Sequence, residues 1–346
     1  MKVVIPVEEL SIGGGCKVLV DTAQALTARG HEVEIVILRD APIKYPIPCK
    51  LTKVIGLLKE TIPYGDIILT NFYTTFASSY AAWPEQTVRI SLGFEPLWVA
   101  DAKTALWTYS QQVPIISISS WLDNLIYDHV KQRTYMVPLG VDPLVFYPQP
   151  KSKRKIAGDP KIILYIARDP QAGYELKGFN EFKASMDIVK NEWTEPFIVY
   201  LICPGTALPL PGIPHTHFFP ENDKQMADLY RKADVFVSSS WFEAFSLPPL
   251  ESMACGTPVV TTNSGGVMDF CTHLDNAYVT APKDPRALAQ GICAVLSDPI
   301  LSKQMISSGL RIANQYTKEQ FEINMVEVLE RIYWEGKPVN KGREAF

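Results

Sequence analysis

The chain alternates strand-length apolar runs with helical stretches, and after a proline-rich, basic break near residue 150 the alternation starts again. That rhythm constrains the fold more than any other feature. A strand, a helix and a further strand within about forty residues close as a parallel crossover unit. Residues 3–7 are apolar, and Gly13-Gly14-Gly15 forms a loop. Residues 17–29 place Val18, Leu19, Ala23, Ala25 and Leu26 near a helical period, and Gly30 stops that helix before a second strand at 32–38. Further strands are expected at 67–69, 88–92, 115–118 and 135–137. Beyond the break they are expected at 161–168, 197–203, 217–219, 235–239, 258–262 and 277–280, with helices at 222–233 and 284–296. The break itself, Tyr147-Pro148-Gln149-Pro150-Lys151-Ser152-Lys153-Arg154-Lys155, has linker chemistry. The expectation is two doubly wound α/β domains in tandem, facing a cleft, with ligands beyond the carboxyl ends of the strands. A final helix is predicted over 318–334, because Phe321, Met325, Val328, Leu329 and Ile332 recur at three- and four-residue steps.

Composition removes several classes of function. The formal net charge of −4 divides evenly, −2 in residues 1–150 (12 basic, 14 acidic) and −2 in the rest (21 basic, 23 acidic). Neither half has the basic excess of a nucleic-acid binder. No apolar run approaches the length of a membrane helix, and nothing in the first residues reads as a signal peptide. The six cysteines form no CxxC pair and the five histidines no metal cluster, so a reducing, cytoplasmic setting is expected.

The chemistry concentrates in Trp241-Phe242-Glu243-Ala244-Phe245-Ser246-Leu247-Pro248-Pro249-Leu250-Glu251 and the run that follows it to Pro258. A strand ends before this segment. Pro248 or Pro249 suits the first turn of a helix, which Gly256 ends. Two glutamates separated by seven residues thus bracket a loop and a helix N-terminus, where free N–H groups and the helix dipole attract phosphate. Glu243 lies on the loop, and Glu251 is able to accept hydrogen bonds from vicinal hydroxyls such as those of a ribose. Phosphate in a dry cleft also needs cations, and Arg168 and Lys177-Gly178 supply two from the restart strand and the loop after it.

Taken in order, the strand-ending Arg168, Lys177-Gly178, the Glu243/Glu251 pair and Met253-Ala254-Cys255-Gly256-Thr257-Pro258-Val259 resemble glycosyltransferase family four, retaining enzymes of the GT-B fold. The resemblance extends to the N-terminal glycine loop and to Gly140-Val141-Asp142 with Phe146 and Pro148. It implies an acceptor-binding domain at 1–148, a nucleotide-sugar donor domain at 149–316, and a terminal segment, 317–346, that crosses back onto the first domain. It implies that Arg168 and Lys177 neutralise the donor diphosphate and that Glu243 binds the transferred sugar. Ala244, Phe245, Ser246 and Leu247 would touch sugar and phosphate through their backbone, and Glu251 would hold the ribose. Gly14 and Gly15 would close on the phosphates. The donor expected is a UDP-sugar, UDP-glucose first. The acceptor expected is a sugar, glycolipid or polysaccharide hydroxyl, with peripheral contact at the cytoplasmic face of a membrane.

No metal and no other cofactor is expected, since no Asp-x-Asp occurs and the two cations take that role. One departure stands out. Where many relatives carry a histidine after a first-domain strand, this chain reads Ile90-Ser91-Leu92-Gly93-Phe94-Glu95-Pro96, and Glu95 or Asn71 is the candidate to fill that space. The alternatives are another GT-B enzyme of epimerase type and a non-catalytic sugar-nucleotide-binding subunit. A dehydrogenase fails on Val18, which stands where a dinucleotide fingerprint needs glycine. Gly13-Gly14-Gly15 reads equally well as a tight strand–helix turn.

Overall fold

A computed structural model describes residues 1–149 and 158–336, so most of the linker stretch at 147–155 lies outside the described residues. The chain forms two compact units, Met1–Pro138 with Glu319–Phe346, and Leu139–Lys318. Each is a parallel sheet with helices, so the doubly wound expectation holds for both.

In the first unit the strands are β1 (Lys2–Val7), β2 (Glu32–Leu38), β3 (Lys50–Val54), β4 (Ile67–Thr70), β5 (Thr87–Ser91), β6 (Ile115–Ser117) and β7 (Tyr135–Met136). Their order is β3-β2-β1-β4-β5-β6-β7, all parallel. Helices α1 (Gly14–Ala28), α2 (Tyr73–Ala82), α3 (Ala102–Tyr109) and α4 (Ser120–Val130) make the crossovers. Sequence order reverses between β1 and β4, which makes the ends of those strands the unit's switch point. The central strands are buried on both faces and read as continuous aliphatic runs for that reason. Strand β3 is absent from the sequence reading. It is an edge strand whose Lys-Leu-Thr-Lys-Val pattern is half exposed, and such a run looks like loop.

Buried charge fixes two places in this sheet. Glu34 on β2 sits among Lys2 (3.3 Å), Lys50 (3.0 Å) and the Thr52 hydroxyl (2.6 Å). Burial alone would raise its pKa, but the hydrogen bonds from Thr52, Lys50 and Lys2 outweigh it and hold the carboxyl below its usual range. A depressed folded-state pKa contributes stability above the unfolded value of about 4.3, and that stability is lost as pH falls through the folded value. The wild type is therefore expected to melt higher than Glu34→Gln at pH 7, and the gap should close as pH drops below 4. A gap that stays constant down to pH 2 would refute this.

The second cluster lies under the loop after β5. Arg89, fully buried, donates to Glu95 Oε1 (2.6 Å) and to Thr108 (2.7 Å), and its guanidinium lies 3.8 Å from the Tyr109 ring centroid. Tyr109 donates to the other Glu95 oxygen (2.5 Å). Burial, with Glu95 beside it, pushes the Tyr109 phenol well above its ordinary value. Glu95 is thus spent on a buried ion pair and does not fill the space the missing histidine leaves. That expectation is corrected, because an unpaired Arg89 in the core would be prohibitive. Asn71, the other candidate, follows β4 and is half-buried.

The second unit has β8 (Lys161–Ile166), β9 (Phe197–Ile202), β10 (His215–Phe218), β11 (Val235–Ser238), β12 (Val259–Thr262) and β13 (Tyr278–Thr280), ordered β10-β9-β8-β11-β12-β13 and all parallel. Its helices are α5 (Phe179–Glu192), α6 (Asp223–Lys232), α7 (Leu247–Ala254), α8 (Pro285–Ser297) and α9 (Pro299–Ala313). The switch point falls between β8 and β11. Residues 139–148, expected in the first domain, group with this unit instead. Val141 bridges Thr317, the Gly140 backbone leaves no room for a side chain against Thr317, and the Phe146 ring meets Tyr230 at 6.2 Å.

Helix α10 (Lys318–Glu335) follows and groups with the first unit from Glu319 onward. Phe321, Met325, Leu329 and Ile332 are buried, together with Val326. His31 Nε2 lies 3.0 Å from Glu330 Oε1, and the Tyr135 hydroxyl donates to Glu335 (2.9 Å). Among the described residues, no helix is long and apolar enough to cross a membrane.

Candidate donor site in the second unit

The residues singled out from the sequence gather at the carboxyl ends of β8 and β11, the switch point of the second sheet. Strand β8 stops at Ile166, two residues short of Arg168. From there the chain makes two short turns to Lys177-Gly178. Gly178 adopts φ +70°, and a Cβ there would lie 2.0 Å from the Ser239 carbonyl oxygen, so only glycine lets the turn seat on β11. The seat is bonded: Ser239 Oγ donates to the Gly178 carbonyl (2.7 Å), and the Tyr165 hydroxyl, fully buried on β8, reaches both Ser239 Oγ (2.8 Å) and the Lys177 carbonyl (3.1 Å).

The loop after β11 is clamped as firmly. Trp241 N–H donates to the Leu176 carbonyl (2.8 Å), Glu243 N–H to Ser264 (2.7 Å), and Gly266 N–H returns to the Glu243 carbonyl (2.9 Å). Both ends being fixed, the Lys177 ammonium and Glu243 Oε1 meet at 2.8 Å, with the Ser240 hydroxyl donating to the same oxygen at 2.7 Å. Sequence reasoning assigned these two residues to different parts of a ligand. The structure brings them together, 38 % and 16 % exposed, so part of the lysine charge is already answered by the carboxylate. Arg168 stands over the Tyr174 ring at 5.2 Å, and no described carboxylate pairs with it.

Downstream, Ser246 takes the left-handed conformation (φ +76°) and caps α7 without a side-chain hydrogen bond. Pro248 and Pro249 both occupy the first turn and remove two of the N–H groups expected there. The donors that remain are the backbone N–H groups of Ala244, Phe245, Ser246 and Leu247, and none of them has an acceptor among the described residues. A left-handed residue among unsatisfied N–H groups at a helix start forms an anion-binding concavity. Phe245 is buried against Phe270 and Tyr316, which holds this loop down from below. Glu251, one turn into α7, accepts a hydrogen bond from the buried Tyr230 hydroxyl of α6 (2.9 Å). Tyr230 is 21 positions away and of the wrong chemistry for a ligand motif, so nothing in the sequence marks it.

Gly14 and Gly15 open α1 in the first unit, after β1 at that sheet's switch point. A side chain at Gly13 or Gly14 would meet no protein atom within 4 Å, so packing within the unit does not demand glycine there. Tyr45, which sequence reading passed over, binds the Gly13 N–H through its hydroxyl (3.0 Å). His215 and His217 are structural: each ring nitrogen facing the chain bonds a backbone carbonyl at 2.8 Å. Phe242, next to Glu243, is half exposed.

The comparisons with known proteins agree with this picture. Residues 148–311 match the family described as "Glycosyl transferases group 1". The chain is 43 % identical over 77 residues to an uncharacterized glycosyltransferase of Methanocaldococcus jannaschii, covering 22 % of this chain and 20 % of that one. It is 33 % identical over 118 residues to a D-inositol 3-phosphate glycosyltransferase of Thermobispora bispora, covering 33 % and 28 %. The matched segments thus span less than a third of these curated relatives. Over 96 % of its length the fold is that of sucrose-phosphate synthase from Thermosynechococcus elongatus (TM-score 0.79, 19 % identity, 99 % of that chain). Anabaena HepE in complex with UDP-glucose is similar over the same share (TM-score 0.75, 16 % identity, 100 % of that chain). The fold is GT-B.

Proposed function

We propose that this chain is a retaining glycosyltransferase that moves a hexose from a nucleotide-diphosphate sugar to a hydroxyl of a sugar, glycolipid or polysaccharide. The observation that carries the reading is the Lys177–Glu243 pair, one residue ahead of four unsatisfied backbone N–H groups at the start of α7. Phosphate charge needs those N–H groups and the cations Arg168 and Lys177. A sugar hydroxyl needs an ionised carboxylate held still, and Glu243 is fixed through its side chain and both backbone atoms. As the bond from the anomeric carbon to the phosphate oxygen breaks, charge grows on the departing diphosphate, where preorganised donors act with no reorganisation cost. The acceptor oxygen bonds to the same face of that carbon, and its proton passes to a donor phosphate oxygen. Glu251, oriented by Tyr230, is the ribose ligand in this reading.

UDP-glucose is the first donor to test, since HepE shares the fold and was solved with it. A thermal-shift series over UDP, GDP, ADP and TDP sugars is the deciding experiment. Binding stabilises by RT ln(1 + [L]/Kd), so one nucleotide should raise the melting temperature above the others. No shift with any of them would end the proposal. The reaction is expected to run without a metal ion: turnover should be unchanged in EDTA, and strict dependence on Mg²⁺ or Mn²⁺ would contradict the two-cation reading. Glu251→Ala should mainly raise the donor KM. A 2′-deoxyribose donor should bind the wild type worse and the variant no worse. An equal loss with both proteins would remove Glu251 from the ribose.

A further inference from the structure

The loop after β13 carries a lysine that no part of the proposed mechanism uses. Lys283 lies with its ammonium 3.8 Å from the centroid of the Trp241 ring. Trp241 belongs to the loop after β11, two residues before Glu243, and its N–H is bonded to Leu176 beside Lys177. Strands β13 and β11 are separated by β12, so the contact bridges strand ends that lie two spacings, roughly 10 Å, apart. The backbone of Lys283 is itself unusual. It adopts φ +62°, a left-handed conformation that a lysine takes only when its surroundings impose it. The adjacent carboxylate does not explain the charge, because Asp284 caps α8 by accepting from Ala287 N–H (2.9 Å). Among the described residues no carboxylate pairs with Lys283.

Charge balance gives this lysine a task. Arg168 and Lys177 bring one positive charge each, and Glu243, in contact with Lys177, takes one away. One net positive charge is then left to face a diphosphate that carries a negative charge on each phosphate. That deficit is costly where water is excluded. We infer that Lys283, held over Trp241, is a third cation of the donor site and acts on the phosphate charge of the nucleotide-diphosphate sugar. The inference rests on the donor reading above and adds to it a residue 32 positions from the nearest one used there. Cation–π contact is a suitable way to hold such a charge. It fixes the ammonium without neutralising it, as a carboxylate would.

The test is calorimetric binding of UDP and of uridine to the wild type, Lys283→Met and Lys283→Arg, at low and moderate salt. The expected result is a Kd for UDP raised about tenfold in Lys283→Met, the scale of one charge-assisted contact, with the arginine variant close to wild type. Uridine affinity should be the same in all three, and the salt dependence of UDP binding should be shallower in Lys283→Met. Melting temperatures in the absence of nucleotide should coincide, because the side chain is exposed. Unchanged UDP affinity in Lys283→Met, or an equal loss for UDP and uridine, would overturn the assignment while leaving the donor site intact. A wild type that binds neither UDP nor GDP, ADP or TDP would overturn the donor reading itself, and this inference with it.

Discussion

Lys177→Ala should lower kcat/KM for the donor by about 2–4 kcal/mol, a fall of roughly 30- to 1,000-fold, with little change in melting temperature. The scale is that of losing one preorganised charge donor to a developing anion. Stability should hold because the backbone of the Lys177 turn keeps its bonds to Tyr165 and Ser239, and Glu243, the partner of the lost ammonium, keeps the bond from Ser240. The pairing with Glu243 calls for a second variant. If the lysine served only to neutralise that carboxylate, Lys177→Met combined with Glu243→Gln would recover much of the loss, since neither charge would remain unpaired. If the ammonium acts on the departing diphosphate, the double variant stays at least as slow as Lys177→Met alone. The measurement is initial rates of nucleotide release from UDP-glucose, or from whichever donor the thermal series selects. Wild-type kcat/KM in Lys177→Ala would remove the residue from the mechanism.

The contrast between Lys177 and Lys283 shows what a linear sequence makes legible. The order of elements could be read because the buried parallel strands are continuous aliphatic runs, as in the Ile-Ile-Leu-Tyr-Ile stretch of β8, and helices α1 and α7 end in glycine stops at Gly30 and Gly256. Edge strand β3 escaped because half its residues face water. In the site, Arg168, Lys177 and Glu243 stand on loops at strand ends and Glu251 in the first turns of α7, where charged residues interrupt apolar runs and so draw notice. Their partners do not. Tyr230 and Ser239 read as ordinary helix and strand residues, and Lys283 reads as a surface charge next to a helix cap. Glu95 failed in the opposite direction. A glutamate in a Gly-Phe-Glu-Pro loop looks functional, yet Arg89, six residues earlier within a buried strand, claims it. Strand Arg89 is fully buried, and a buried arginine announces that some carboxylate must come to it. That signal was present in the sequence and outranked the loop argument.

The largest effect on stability is expected at the end of the chain. A chain ending at Tyr316 loses α10 and with it the buried side chains of Phe321, Met325, Val326, Leu329 and Ile332. At about 1.5–3 kcal/mol for each fully buried apolar side chain, the gross loss is roughly 7–15 kcal/mol. Part of that is offset, since the shortened chain no longer has to order a helix of eighteen residues. The remainder still bears on a domain whose net stability is about 5–15 kcal/mol. The His31–Glu330 contact and the bond from Tyr135 to Glu335 tie the turn before β2 and strand β7 to this helix, so its removal takes away these polar ties as well. The first unit should therefore unfold or aggregate, although every one of its strands is encoded before residue 138. Leu329→Ala alone should cost about 2–5 kcal/mol, because it opens a cavity at a fully buried position. A soluble chain ending at Tyr316 that melts cooperatively at the wild-type temperature would refute the dependence of the first unit on its returning helix.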